Sequence, residues 1–279
     1  MKTNYLFKIE NLVCSYNGTD EVLKVDYLEI PLGKIVVLLG ASGSGKSTIL
    51  ETLGLMNRTI KNGSKVIFKP KDEEYDLSSM WNSDMFDEMA LVRQNHFSFI
   101  FQSTNLMPNF TAFENISITQ MLAGLSKNEA INEAIKMADS LGLSIDADKK
   151  AFEMSGGEKQ RAAFIRAITP EFSVLFGDEP TGNLDRRNAS KLLSILRKTI
   201  HDKGKTAIIV SHDLELALSF ADMIIVLEKP SNGSLIKTAK ITPDTIFNSS
   251  TKNGKKNWYS SDNEIITNSI NSIIERIIQ

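Results

Sequence analysis

Five short runs along the chain are almost wholly apolar: Ile35–Leu39, Phe97–Phe101, Val174–Phe176, Ala207–Val210 and Met223–Leu227. They are rich in Val, Ile and Phe and too short for helices, so they predict strands buried on both faces, as in a parallel sheet. Helical patterns lie between them. Ser47–Leu55 follows a glycine-rich turn, and in Asn188–His201 the residues Leu192, Leu193, Ile195, Leu196 and Ile200 gather on one side. Strand and helix alternating in this way predict an α/β architecture, a mainly parallel sheet with helices on both faces.

Two stretches interrupt that rhythm. Residues 57–95 are polar and weakly periodic, with one strand-like piece at Lys65–Lys69. Phe113–Phe152 reads as helical. Ser126 and Glu129 have capping-box spacing, and Ala130, Ile131, Ala134, Ile135, Ala138 and Leu141 continue one apolar stripe. The pattern predicts a helical subdomain, about 106–156, inserted in a domain covering 1–230. Beyond Lys229 the chain turns polar as far as Trp258. Within this extension, 231–279, Ser261 and Glu264 again have capping-box spacing, and Ile266, Ile270, Ile273, Ile274 and Ile277 recur at helical intervals. A terminal helix packed on its own domain is expected.

Composition narrows the classes. Apolar residues at 42% and charged residues at 24% of 279 are those of a folded globular chain. A net charge of −2 excludes a nucleic-acid binder that works by bulk charge. One cysteine and three histidines leave no disulfide or Cys/His zinc framework, which suits a reducing compartment. Asn4, Lys8, Glu10 and Asn11 break the start where a signal peptide needs an apolar stretch. The longest unbroken apolar runs are five residues, against the roughly 18–20 needed to cross a bilayer.

The candidate chemistry begins after the first strand. Gly40-Ala-Ser42-Gly43-Ser-Gly45-Lys46-Ser47-Thr48 fits the pattern G-x-x-x-x-G-K-[ST] between a strand and a helix. Glycines let backbone N–H groups curl around phosphate oxygens, and the helix turns its positive end toward the anion. In such a loop Lys46 reaches the outer phosphates and the Ser47 hydroxyl ligates Mg²⁺. A second strand ends in Asp178-Glu179-Pro180. Asp178 stands where phosphate-loop enzymes place a metal-holding acid, and Glu179 is placed to polarise an attacking water.

A third signal is Met154-Ser155-Gly156-Gly157-Glu158-Lys159-Gln160-Arg161, 23 residues before Asp178 counted from Ser155. Tyr16, the phosphate loop, Gln102, this segment, Asp178-Glu179, Asp185 and His212 then stand in a fixed order. Singly, Tyr16 also reads as a core aromatic, Gln102 as a solvated loop amide and His212 as a helix cap. Together, from Phe7 to Leu227, they resemble the motif set of the ATP-binding cassette (ABC) ATPases.

The resemblance implies the ABC ATPase fold: a P-loop core with a mainly parallel sheet, an antiparallel β portion and an inserted helical subdomain. It implies ATP and Mg²⁺ as ligands and a head-to-tail dimer, the partner being a second ABC ATPase protomer of the same sequence. Each ATP would then lie between one protomer's phosphate loop and the other's Ser155, Gly156 and Gly157. Tyr16 would stack on adenine. Gln102 would join Ser47 and Asp178 around Mg²⁺, His212 would bond the γ-phosphate, Glu179 would act as base, and Asp185 would help align the protomers. Met107, Pro108 and Phe110 would line a groove for a helix of a membrane permease or force-transmitting subunit. The chain would thus sit in the cytoplasm, peripheral on the inner face of the plasma membrane.

Phe99-Ile-Phe-Gln102 and Gly177–Asp185 are similar to the branch holding macrolide-export, lipoprotein-releasing and cell-division ATPases. This implies an export or force-transmitting ATPase, with a cell-division regulator that transports nothing as the alternative. One cassette, one cysteine and no sustained heptads speak against the branches that act on nucleic acid. Met154 and Glu158 replace the family's commoner Leu and Gln. Lys46 and Gln102 are 56 residues apart, a little generous for the branch.

Overall fold

In the computed structural model, residues 5–140, 146, 149–228, 238–252 and 254–278 are described. In chain order the strands are β1 (Tyr5–Cys14), β2 (Leu23–Pro31), β3 (Ile35–Gly40), β4 (Lys65–Phe68), β5 (Tyr75–Asp76), β6 (Phe97–Ile100), β7 (Val174–Asp178), β8 (Thr206–Val210), β9 (Met223–Leu227), β10 (Ala239–Ile241), β11 (Ile246–Lys252) and β12 (Lys255–Tyr259). The helices are α1 (Lys46–Leu53), α2 (Leu77–Asn82), α3 (Phe86–His96), α4 (Ala112–Leu122), α5 (Lys127–Ser140), α6 (Gly156–Ile168), α7 (Arg186–Lys203), α8 (Leu214–Phe220) and α9 (Ile270–Ile278).

Each apolar run becomes a strand of one seven-stranded sheet, ordered β12-β11-β9-β3-β8-β7-β6. Its five strands from β9 to β6 are parallel, with Val37 opposite both Ile209 and Ile224. Both faces are covered, which is why these strands read as continuous rather than alternating apolar runs. Val37, Leu39, Ile209 and Val226 face a core shared with Ile165, Leu196 and Ile274 of the helices. Val36, Leu38, Ile208 and Val210 face the opposite way, toward Phe7, Ile9 and Phe68. That second core is closed by a five-stranded sheet, β10-β2-β1-β4-β5, antiparallel except where β10 runs alongside β2.

The stretch read as helical holds α4, α5 and the start of α6. Thr111 and Glu114 form a capping box on α4, as Ser126 and Glu129 do before α5. Ala130, Ala134 and Ala138 of the α5 stripe are buried; Leu141 lies outside the described residues.

Residues 57–95 carry more structure than their pattern predicts. Besides β4 they form β5, α2 and α3. The helices are short of apolar side chains: α3 buries only Met89 and Val92, one helical step apart, so no stripe is visible.

The extension joins the main body. β11 pairs antiparallel with β9, and β12 with β11, which lengthens the central sheet. The terminal helix begins at Ile270 rather than near Ser261. The expected capping box is instead a turn, in which Ser260 N donates to Glu264 O and Glu264 N to the Ser260 hydroxyl. The chain folds back there because Ile266 N bonds Trp258 O and Tyr259 pairs with Ile265. Ile270 and Ile274 of α9 are buried in the helical-side core, each contributing about 1.5–3 kcal/mol.

Candidate functional site

Four parallel strands, β3, β8, β7 and β6, end at the same edge of the sheet, the edge where open α/β sheets bind ligands. The loop after β3 turns at Gly40, Gly43 and Gly45, with φ of 154°, 73° and 87°. A side chain at Gly40 would place its Cβ 2.6 Å from Ser44 Oγ and 3.0 Å from Leu227 O. Bare backbone is therefore required at that position. Ser42 and Gly43 are exposed at the loop tip. No side chain caps the N-terminus of α1 and no acidic residue lies in its first turn, so its N–H groups are left for an anion.

Lys46 is buried against this loop, its Nζ donating to Gly40 O at 2.9 Å and Ala41 O at 2.8 Å. Burial lowers its pKa, and the carboxylates of Glu179 and Asp178 pull it partly back. Beside it the Ser47 hydroxyl donates to Asp178 Oδ2 at 3.3 Å. Burial raises Asp178 above the usual carboxylate value, against the pull of Ser47 and Lys46.

Glu179 is held at φ 48°, a left-handed conformation that few non-glycine residues adopt and that is frequent at functional sites. Its Oε1 lies 2.6 Å from His212 Nε2, and its Oε2 accepts from Gln102 Nε2 at 3.3 Å. His212 is free to face this way because Asp213, not His212, caps α8. Thus Ser47 with Asp178, and Glu179 with Gln102 and His212, form two bonded groups brought together by the adjacency of residues 178 and 179, with Lys46 within their electrostatic reach. Tyr16 borders them, half exposed, its hydroxyl donating to Glu51 Oε2 and hydrogen-bonded to the Thr48 hydroxyl, at 3.1 Å each. Burial raises the Tyr16 phenol above its usual value, while the bond to Thr48 lowers it.

The segment from Ser155 to Gly157 stands apart. Among the described residues no hydrogen bond or ion pair joins it to the phosphate loop. Ser155 caps α6 by accepting from Glu158 N, and Glu158 returns the bond to Ser155 N. Gly156 and Gly157 form the first turn of α6. Asp185 caps α7, accepting from Asn188 N at 3.0 Å, and these bonds lower its pKa.

Three residues support the site in roles the sequence did not signal, although Gln160 stands within the Met154–Arg161 motif. Lys149 grips both carboxylate oxygens of Glu158 at 3.0 and 2.9 Å. Together with the Ser155 bonds it holds Glu158 down at about 2. Gln160, fully buried, donates to Pro180 O, joining α6 to the residue after Glu179. Arg166 of α6 donates to Thr104 O and Asn105 O, just after Gln102.

The donor set suits Mg²⁺. Ser47 and Asp178 offer hard oxygens side by side, with the Gln102 amide nearby. Among the described residues no group of three or more His, Cys, Asp or Glu could hold an ion by itself.

Comparison with known proteins agrees with this geometry. The ABC transporter family profile matches residues 23–182. The lipoprotein-releasing system ATP-binding protein LolD of Aquifex aeolicus is 38% identical over 212 residues, 76% of this chain and 89% of that one. The macrolide export ATP-binding/permease protein MacB of Pasteurella multocida is 34% identical over 252 residues, 89% of this chain; the chain spans only 36% of that relative. Among solved structures, the dimeric bacterial ABC transporter cassette MJ0796 superposes with a TM-score of 0.68 at 30% identity, covering 79% of this chain and 93% of that one. A nucleotide loop, an acidic strand end and a detached glycine-rich helix start on such a fold have one reading: the chain belongs to the ABC transporter family and is one of its ATP-hydrolysing cassettes.

Proposed function

We propose that the chain is the ATPase subunit of an export or force-transmitting complex and works as an ATP-clamped homodimer on a membrane partner. The observation that carries this reading is the convergence of Lys46, Ser47, Asp178, Glu179, Gln102 and His212 at one sheet edge. The phosphate loop's N–H groups and Lys46 bind the triphosphate, and Tyr16 lies where it can stack on the base. Ser47, Asp178 and Gln102 would hold Mg²⁺, which would supply charge that neutralises the bound phosphates. Glu179 takes a proton from the attacking water as its oxygen bonds the γ-phosphorus and the bond to ADP breaks. His212 holds the γ-phosphate side of the site, and Gln102 reports its state.

The Ser155–Gly157 turn completes the site of a second copy. Its separation from the phosphate loop within one chain is what a head-to-tail dimer requires. Asp185, at the start of α7, borders that contact. A solved relative's dimeric form supports this arrangement.

A groove of about 760 Å³ between the strand ends of β6 and the helical stretch fits the partner's helix. Phe99, Phe101, Met107, Leu122 and Leu125 line it, and Leu122 is 73% exposed. Pro108 and Phe110 lie in the loop leading to α4 but not among the lining residues. Among the described residues no helix is long and apolar enough to cross a membrane. Attachment to the membrane's inner face comes, on this proposal, through the partner. The names of the relatives, an ATP-binding/permease protein and an ATP-binding protein of a lipoprotein-releasing system, support this reading.

The test has two arms. Purified chain with ATP and Mg²⁺ should release phosphate, and a detergent extract should yield a membrane protein bound to it. Leu122→Asp with Leu125→Asp should lose that protein while keeping the melting temperature. Absence of any ATPase from both the chain and its complex would contradict the proposal.

A further inference from the structure

The terminal hairpin meets α8 through a half-buried cation. Lys256 of β12 donates from Nζ to Leu218 O at 2.8 Å and Ala221 O at 2.5 Å, the last carbonyls around α8. The same ammonium lies 4.6 Å from the Trp258 ring centroid. Two neighbours close on this helix end. Arg197 of α7 donates to Ser219 O and Phe220 O, and the Ser249 hydroxyl of β11 donates to Ala221 O and Asp222 O. The Asp222 carboxylate answers these cations, accepting from Ile35 N and lying 3.0 Å from His201 Nε2. Burial pushes Lys256 down to about 8, which is not the behaviour of a solvated lysine. The last carbonyls of a helix have no partners within it, so donors delivered here fix where the helix ends.

The other end of α8 borders the site. Asp213 caps it, accepting from Leu216 N at 2.8 Å, and the residue before Asp213 is His212. Glu215 pairs with Arg186, the first residue of α7 after Asp185. Asp213 and Leu216 line a cavity of about 270 Å³ together with Glu179, Gly182 and His212. At seven residues α8 is a strut of roughly 10 Å, too short to bend between its ends.

The geometry points to Lys256 as a positioning residue for hydrolysis: the C-terminal hairpin fixes one end of α8 and thereby sets His212 against Glu179 at the other. This rests on the reading that Glu179 and His212 act on ATP. His212 is half exposed, and among the described residues its one charged contact is the 2.6 Å approach to Glu179. Its backbone is held between the end of β8 and the Asp213 cap of α8, so the set of the ring depends on α8 as well as on the strand. With Lys256 removed, the Leu218 and Ala221 carbonyls lose a shared donor, the helix end loosens and the His212 end shifts with it. Displacements near 1 Å at reacting groups cost up to about 10²-fold in rate.

The full chain carries three histidines, and they serve as built-in reporters. His201 lies beside Asp222, His212 at the site, and His96 between Ser173 and Glu73, away from both. In Lys256→Met the imidazole NMR signals of His201 and His212 should move while those of His96 stay. The kcat for ATP should fall roughly tenfold with KM within about twofold. Lys256→Arg, which retains donors and charge, should restore most of the rate. A fall in melting temperature with an unmoved His212 signal and parental kcat would reduce Lys256 to a fold anchor and overturn the inference. So would equal movement of all three histidines, which would report general loosening. His212→Ala, measured alongside, separates the two levels. Parental hydrolysis by that variant defeats the site reading, whereas its loss beside an unimpaired Lys256→Met defeats only the positioning role.

Discussion

Glu179 and His212 approach to 2.6 Å although one follows β7 and the other follows β8, 33 residues later in the chain. The contact is possible because β7 and β8 are adjacent and parallel, and Glu179 N bonds Val210 O across the strand ends. Glu179→Gln keeps the shape of this contact and removes the base. It should retain ATP affinity while hydrolysis slows by about 10²–10⁴-fold. Phosphate release and filter-bound nucleotide measure the two effects. Parental turnover would take Glu179 out of the role of base.

Lys46 has two of its N–H groups on loop carbonyls, leaving one for a phosphate oxygen. Lys46→Ala should weaken ATP binding by at least about 100-fold, the loss of a charge-assisted contact worth some 3 kcal/mol. Its melting temperature should hardly fall, because burial already disfavours the ammonium. A titration with a fluorescent ATP analogue checks the affinity.

Gly40 admits no side chain. Its added Cβ would stand 2.6 Å from Ser44 Oγ, which can rotate, and 3.0 Å from Leu227 O, which is strand backbone. Gly40→Ala should destabilise the chain by about 1–3 kcal/mol and distort the phosphate loop. Urea unfolding measures the first effect and nucleotide affinity the second.

Glu158 gives the fold a defined acid sensitivity. Its pKa is about 2 when folded against an ordinary 4.5, so the folded state holds fewer protons between those values. The stability its bonds to Lys149 and Ser155 confer is fully present above pH 4.5 and is lost as pH falls toward 2. Glu158→Gln should therefore melt below the parent at pH 7, with the difference shrinking as pH falls through that window. A difference that grows on acidification would contradict the assignment.

Much of this architecture was legible in the sequence, and the omissions have physical causes. Strands buried on two faces, such as Val174–Asp178 and Met223–Leu227, announce themselves by composition alone. β1 and β2 do not, because Lys8, Glu10, Asp26 and Glu29 occupy their open face and dilute the apolar signal. The α3 helix buries too few residues to show a period. Ser261 and Glu264 have the spacing of a helix start, yet tertiary pairing of Ile266 with Trp258 makes that segment a turn. At the site, the candidate residues stood out by type and spacing, whereas the supporting roles of Lys149, Gln160 and Arg166 did not. Their work is done through contacts made only after folding, to Glu158, Pro180 O and the loop at Thr104.

The separation of the Ser155–Gly157 turn from the phosphate loop makes the dimer the point on which this account stands. Gly157 has ordinary room for a side chain, its nearest added contacts being 3.6 Å, so Gly157→Asp should fold and set a carboxylate against the shared triphosphate. Sedimentation of Glu179→Gln with saturating ATP and Mg²⁺ should show twice the monomer mass, and the same protein carrying Gly157→Asp should remain monomeric. A Glu179→Gln chain that stays monomeric with ATP bound, or a dimer indifferent to Gly157→Asp, would contradict it.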